Sequence, residues 1–313
     1  MIKRHHHISM YTKDLKENNH FYTEVLGLRR VKVSVNQNDT SMYHVFYGDR
    51  LGTAGNDITY FDMPYVADRK EGTNAHHALG LLVNTGSSFD YWQERLKKFG
   101  YGSMKKEYFG RNVLMFEDAD TLKLVLFSAE GQDLPSEWEQ WTDNDIDEEH
   151  LILGMGPVQV NVRDKDKMVD MLTEIFKYQI VENTSDYAIL HANKNRLTGE
   201  IIISEKEGII EGQGRGTIHH LAVQTENTDL QKIDETLKER GYRTTGVIDR
   251  YYFERLYFRE DNGVMFEIVG PEAKGFTVDT DESNLGSKLD LPPKLEEKRA
   301  EIESRLTPIN DWT

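Results

Sequence analysis

Two pairs of adjacent histidines open apolar, strand-like runs far apart in the chain. His6-His7 precedes Ile8-Ser9-Met10, and His219-His220 precedes Leu221-Ala222-Val223. A carboxylate, Glu267, stands inside a further apolar run, Met265-Phe266-Glu267-Ile268. A carboxylate in such a strand is costly to bury unless a partner or a metal ion compensates it. Two imidazoles and one carboxylate are the ligand set of a non-haem Fe(II) facial triad, which leaves three coordination positions for a substrate and O2. Mn(II) suits the same donors.

The elements that must position these residues repeat four times. The first unit opens at His7-Ile8-Ser9-Met10-Tyr11 and continues into a helix pattern through Leu15, Phe21, Tyr22, Val25 and Leu26, stopped by Gly27. The second opens at His76-His77-Ala78-Leu79-Gly80, with a helix carrying Phe89, Trp92 and Leu96 and stopped by Gly100. The third opens at Gly156-Pro157-Val158, with a helix through Met168, Met171, Leu172, Ile175 and Phe176. The fourth opens at His219-His220-Leu221. Its helix has a capping box, Thr228-x-x-Gln231, a stripe of Leu230, Ile233 and Leu237, and Gly241 as its stop. Short strand-like runs follow each helix, and Glu260-Asp261-Asn262-Gly263 is a hairpin turn between two of them.

The inferred unit is β-α-β-β-β, and the fold class is α+β. One unit alone leaves a sheet edge and face uncovered, so four modules should pair into two barrel-like domains. The modules span 1–70, 71–135, 150–207 and 214–275. The segment from about 129 to 153 is an acidic, Trp-containing connector. Residues 276–313 form a charged tail helix from Leu291-Pro292-Pro293 onward, with Leu295, Ile302 and Leu306 as its apolar face and a packing role.

Composition bounds the function. The chain has 313 residues, is 38% hydrophobic and carries a formal net charge of -16. It can bury a core, and it lacks the basic footprint that nucleic acid or an anionic membrane requires. It contains no cysteine, which excludes disulfides, thiolate metal sites and cysteine nucleophiles. No apolar run approaches the roughly 20 residues that span a bilayer. The start, Met1-Ile2-Lys3-Arg4, leads into histidines rather than an apolar stretch, so no signal peptide is evident and a cytoplasmic location is expected. His5-His6-His7 is short and runs into a strand pattern, so it reads as part of the fold.

Four such units with an early strand histidine and a late strand glutamate resemble the vicinal-oxygen-chelate superfamily of glyoxalase I, bleomycin- and fosfomycin-resistance proteins and type I extradiol dioxygenases. The stretch from Gly246 through Arg250 to Phe253, then Tyr257-Phe258-Arg259-Glu260 and Gly263 to Ile268, is similar to the ring-cleaving dioxygenases of hydroquinones. So are the paired histidines and the Leu-Pro-Pro tail.

The resemblance implies that the histidine directly before the apolar run is the ligand, which selects His7, His220 and Glu267. Strand parity agrees: His7, Ser9 and Tyr11 share one face, as do His220, Ala222 and Gln224. The second repeat keeps His77 but has Leu126 at the position taken as equivalent to Glu267, and the third has Pro157 at the histidine position. Only modules 1 and 4 therefore offer a full triad, so they should pair around the metal while modules 2 and 3 pair without one.

The resemblance also implies a catalytic set of His219, Tyr257 and Arg250 and substrate contacts from His6 and Ser9, with Ser9 in place of a threonine. His219 or His6 would serve as acid–base catalyst, since imidazole titrates near neutral pH. Parity turns His6 and His219 away from the ligand face unless a bulge intervenes. The implied activity is Fe(II)-dependent extradiol-type insertion of O2 into a small aromatic diol, most simply a substituted hydroquinone. A homo-oligomer is left open. Two alternatives remain: a glyoxalase-like isomerase or thiol transferase, which ordinarily takes four protein ligands to Zn(II), Ni(II) or Mn(II), and a metal-free binding protein of the resistance type.

Overall fold

The computed structural model describes residues 2–86, 88–192, 197–226, 230–271 and 274–308. The first repeat supplies β1 (Ile2–Thr12), α1 (Leu15–His20), β2 (Arg29–Asn36), β3 (Asp39–Gly48) and β4 (Asp57–Asp62). The second supplies β5 (Ala75–Val83), α2 (Ser88–Lys98), β6 (Ser103–Tyr108), β7 (Arg111–Glu117) and β8 (Lys123–Ser128). The third supplies β9 (Ile152–Val162), α3 (Lys165–Glu174), β10 (Gln179–Asn183), β11 (Tyr187–His191) and β12 (Glu200–Glu205). The fourth supplies β13 (Ile218–Thr225), α4 (Leu230–Glu239), β14 (Ile248–Asp249), β15 (Glu254–Arg259) and β16 (Met265–Val269). Each repeat is thus β-α-β-β-β, and the architecture is α+β as the patterning indicates.

The strands form two curled eight-stranded sheets, ordered β14-β15-β16-β13-β1-β4-β3-β2 and β10-β11-β12-β9-β5-β8-β7-β6. Antiparallel pairs at the centre, β1 with β13 and β5 with β9, join the repeats. Aspartate side chains start two of the helices. The side chains of Asp14 and Asp164 accept from the backbone N–H groups of Glu17 and Lys167, capping α1 and α3. Gly27 and Gly241 follow their helices with φ of +69° and +90°, a conformation that favours glycine. The capping residue Thr228 lies outside the described residues.

Two local expectations change. The first helix does not run as one α-helix to Leu26: from Phe21 to Val25 it widens into a π turn, closed by Leu26 N–H donating to Phe21 O. That turn puts Phe21, Tyr22 and Val25 all in the core. The tail is not one helix but two short ones, Pro293–Glu296 and Arg299–Glu303, with Ile302 buried. No helix among the described residues is long and apolar enough to cross a membrane.

The ladders carry one-residue slips where the histidines stand. Between β1 and β13, His5 faces Val223 and His7 faces Ala222, so His6 is an extra residue; Ser9 faces His220 and Met10 faces Ile218, so His219 is another. Between β5 and β9, His76 faces Val160 and Ala78 faces Gln159, so the extra residue is His77. This register corrects the alignment of the repeats by one position. The counterpart of His7 in the second repeat is Ala78, and His77 matches His6. Likewise Glu267 pairs with Ala222, whose counterparts pair with Thr59, Val125 and Ile202, so the second-repeat position is Val125 and not Leu126.

Two further histidines tie the sheets together. A ring nitrogen of His5 lies 3.2 Å from Gly156 O, and one of His76 lies 3.0 Å from Met265 O. Burial pushes both rings down to about 4. An unfolded chain protonates these imidazoles near 6.5, so between about 4 and 6.5 it binds more protons than the folded one, and each group lowers stability as pH falls through that window. His76→Gln isolates one of them. Relative to wild type, the stability deficit of the metal-free variant should shrink on acidification across the window, by up to about 1.4 kcal/mol per pH unit. Urea unfolding at pH 4.5 to 7 checks it, and a deficit that stays constant would refute the assignment.

Candidate metal centre

His7, His220 and Glu267 converge at the centre of the first sheet. Their candidate ligand atoms lie within 4.8 Å of one another, and all three residues are buried. Nε2 of His220 is 2.9 Å from Glu267 Oε2, Nε2 of His7 is 3.4 Å from the same oxygen, and the two nitrogens are 3.3 Å apart. Donors at about 2.1 Å from a divalent ion and at right angles stand about 3 Å apart. All three separations are near that value, as three donors on one face of an octahedron require. Glu267 Oε2 is buried without a hydrogen-bond partner of acceptable geometry. An orphaned carboxylate oxygen between two imidazoles fits a metal ion, and these residues fit the triad expected of them.

The charge on Glu267 is secured from behind. Burial works against its ionisation, but Arg255, His7 and His220 outweigh that and hold the carboxyl well below the usual range. Arg255 Nη1 reaches Glu267 Oε1 at 3.4 Å, with its guanidinium over the rings of Tyr257 and Phe253. The carboxylate therefore offers Oε2 to the centre while Oε1 faces a cation.

The bulges bring His6 and His219 beside the ligands instead of turning them away. His6 Nδ1 is 2.9 Å from His7 Nδ1, and His219 Nδ1 is 2.8 Å from His220 Nδ1. Each pair shares one proton. When Nε2 of His7 or His220 serves as ligand, its Nδ1 must carry that proton and donate it, so the preceding histidine accepts at Nδ1 and carries its own proton on Nε2. Burial, then His220, pushes His219 down to about 3, and burial pushes His6 well below the usual range. Both rings are neutral at neutral pH. With ligation at Nε2 of the partner rings, each would keep a proton to donate on its own Nε2, which departs from the expectation that they titrate near neutrality.

A cavity of about 370 Å³ opens onto the centre, where His219, His220, Tyr257 and Arg255 line it; its other walls mix aromatic and methionine side chains with polar ones such as Lys32, Asn36, Gln37 and His44. None of the lining residues is acidic. The Tyr257 ring meets His220 edge-on at 5.3 Å, and burial, reinforced by Glu267, raises its phenol far above the ordinary value. Ser9 does not face the cavity: its hydroxyl is 2.7 Å from that of Thr59, which is 2.9 Å from His44 Nε2. Arg250 lines the cavity but its guanidinium donates to Asn38 Oδ1 at 2.7 Å, across the cavity mouth. Sequence reasoning passed over Arg255 and His44. Arg255 was findable, since it stands two residues before Tyr257 in one strand and shares its face. His44 carried no local signal.

Comparisons with known proteins agree with this geometry. A family model described as the Glyoxalase/Bleomycin resistance protein/Dioxygenase superfamily matches residues 4–126 and 154–268. A Bacillus subtilis (strain 168) protein named "Putative ring-cleaving dioxygenase MhqA" is 36% identical over 316 residues, covering 97% of this chain and 98% of its own length. The chlorohydroquinone/hydroquinone 1,2-dioxygenase of Sphingobium indicum is 26% identical, covering 98% of this chain and 95% of its own length. The crystal structure of a "putative dioxygenase" from Bacillus subtilis superposes with a TM-score of 0.88 at 30% identity, covering 98% of this chain and 97% of that one. With a family model matched over both halves and relatives aligned over nearly their whole length, this chain belongs to the glyoxalase/bleomycin resistance/dioxygenase superfamily, alongside its ring-cleaving dioxygenases, and is an oxidoreductase enzyme.

Proposed function

We propose that the protein is an Fe(II)-dependent, extradiol-type ring-cleaving dioxygenase of substituted hydroquinones. The observation that carries this reading is the facial convergence of His7, His220 and Glu267 beside a cavity that carries two guanidinium groups and no acidic lining residue. Fe(II) held there would supply a redox-active centre with open positions for an aromatic diol and O2. The chain's own residues do the rest. The guanidinium groups of Arg255 and Arg250 and the absence of acidic lining favour a diol bound as its monoanion. Tyr257 donates its phenolic proton in a hydrogen bond to the ring oxygen, and His219 Nε2–H supplies a second donor. The aromatic walls, Phe253 beside His6 and His7 among them, exclude water from the ring. The relative named for chlorohydroquinone and hydroquinone supports that substrate class.

The isomerase alternative is disfavoured by one position. The counterpart of Glu267 in the first repeat is Thr59, already bonded to Ser9 and His44, so a fourth protein ligand is missing where the symmetry of the repeats would place it.

Anaerobic loading with Fe(II), followed by O2 uptake on adding methylhydroquinone, chlorohydroquinone or catechol, tests the reading. One O2 per ring with loss of aromatic absorbance is expected on the hydroquinones. Metal binding without uptake on any diol would refute it in favour of the isomerase, and no metal binding would refute it in favour of a binding protein. Tyr257→Phe should lower kcat by about 100-fold while Fe(II) affinity stays at the wild-type value. An unchanged kcat would remove Tyr257 from the chemistry.

A further inference from the structure

The first sheet is open along one side. Its edge strands are β2 and β14, which face the gap as the two ends of the strand order. The chain beyond β16 crosses that gap. Lys32 on β2 is fully buried, with its ammonium 3.0 Å from Asp279 Oδ1 and 3.2 Å from Asp290 Oδ2. The other oxygen of Asp279 accepts from the hydroxyl of Tyr252, just beyond β14, at 2.8 Å. One carboxylate thus ties the two edges of the sheet together. Lys32 also stands 4.8 Å from the centroid of the Tyr252 ring. A fully buried ammonium persists only with such partners, and removing one leaves an uncompensated charge.

The segment then runs along β2. Leu289 forms a parallel bridge with Val33, and Asp290 N–H donates to Val33 O at 2.8 Å. Just before the clasp, Phe276 is buried and lines the cavity, its ring 5.1 Å from Phe46 and 5.7 Å from Tyr252. Room for it is made at Gly52, where a Cβ would stand 2.7 Å from the Phe276 ring.

We propose that residues 274–291 form the closing wall of the substrate cavity, and that Phe276, held by the Asp279 clasp, limits the size of the ring substituent. The inference rests on the aromatic-diol reading above. The donors near His220 fix one ring oxygen, and the aromatic cluster of Phe46, Tyr252 and Phe276 is an apolar part of the wall that can receive a substituent. Phe276 is the cavity-lining side chain contributed by the segment outside the four repeats. Asp279 is a positioning residue: it acts through Tyr252 and Lys32 and does not touch the ring.

The test compares wild type and Phe276→Ala with hydroquinone and tert-butylhydroquinone, in aerobic turnover and in anaerobic binding to the Fe(II)-loaded protein. The ratio of kcat/KM for the bulky over the bare ring should rise about tenfold or more, and the ratio of affinities should shift the same way, with Fe(II) affinity unchanged. Unchanged ratios in folded, metal-loaded Phe276→Ala overturn the proposal. Should that variant not fold, Phe276→Leu carries the same test with a smaller shift. Asp279→Asn should shift the ratios in the same direction and speed amide hydrogen exchange at Asp290; no change in either overturns the clasp. Failure of the dioxygenase reading shows separately, as wild-type protein that takes up no O2, and the binding ratio then decides the wall alone.

Discussion

Glu267→Gln should lose its metal: divalent-ion affinity falls by more than about 100-fold, and O2 uptake with a hydroquinone falls to background. Removing a partner that only orients a ligand costs 10- to 100-fold in affinity, so removing the anionic ligand itself costs more. The amide keeps the shape of the side chain but surrenders the charge that two neutral imidazoles cannot replace. It also strips Arg255 of its carboxylate at 3.4 Å, leaving a largely buried guanidinium without a counter-charge. The metal-free variant should therefore unfold at lower urea than metal-free wild type, by about 1–3 kcal/mol. Titration with Fe(II) under argon, with metal content after desalting, reads the first effect. Stoichiometric metal at wild-type affinity in Glu267→Gln would end the triad assignment.

The second large effect is a contrast. His7→Ala should abolish metal binding, whereas His77→Ala should leave affinity and turnover within about twofold of wild type. By sequence alone the two histidines look interchangeable, each the last of a histidine run before an apolar strand. The ladder separates them, because His77 occupies the slipped position and Ala78 takes the place of the ligand. His77 lies in the second sheet, with Nδ1 3.9 Å from the carboxylate of Glu71. Metal loss in His77→Ala, with His7→Ala still loading, would show that the register reading is inverted.

The slip also shows what could be read from residues and what could not. Repeat number, repeat order and fold class follow from recurring apolar periods, which are local properties of the chain. Glu267 could be singled out because a carboxylate in Met-Phe-Glu-Ile contradicts its surroundings. The counterpart positions could not be placed to the residue. An extra residue at His6, His77 or His219 shifts strand parity without leaving any local mark, since each bulge exists only by reference to the strand opposite. The same cause explains why His6 and His219 were expected to turn away. Arg255 was passed over because an arginine in a strand next to a charged turn reads as surface, whereas its partner Glu267 comes from the neighbouring strand. Lys32, the clasp and Phe276 were illegible for a further reason. They depend on residues 276–290, a stretch ahead of the tail helices that carries no periodic pattern of its own and takes its path from β2 and Tyr252.

The sheet that carries the centre is built from residues 2–62 and 218–269, while residues 75–205 make the other sheet in between. A chain emerging in order from N- to C-terminus completes the strands of the second sheet before β13 exists. Until then β1 waits without its central partner, and His7 without the other two donors. Ring closure over so long a separation is slow and comes late. A product that stops short of β16 would lack Glu267 and with it the third donor of the cluster. Metal uptake at the proposed centre would therefore report that synthesis has run through the last repeat and that its two ends have met.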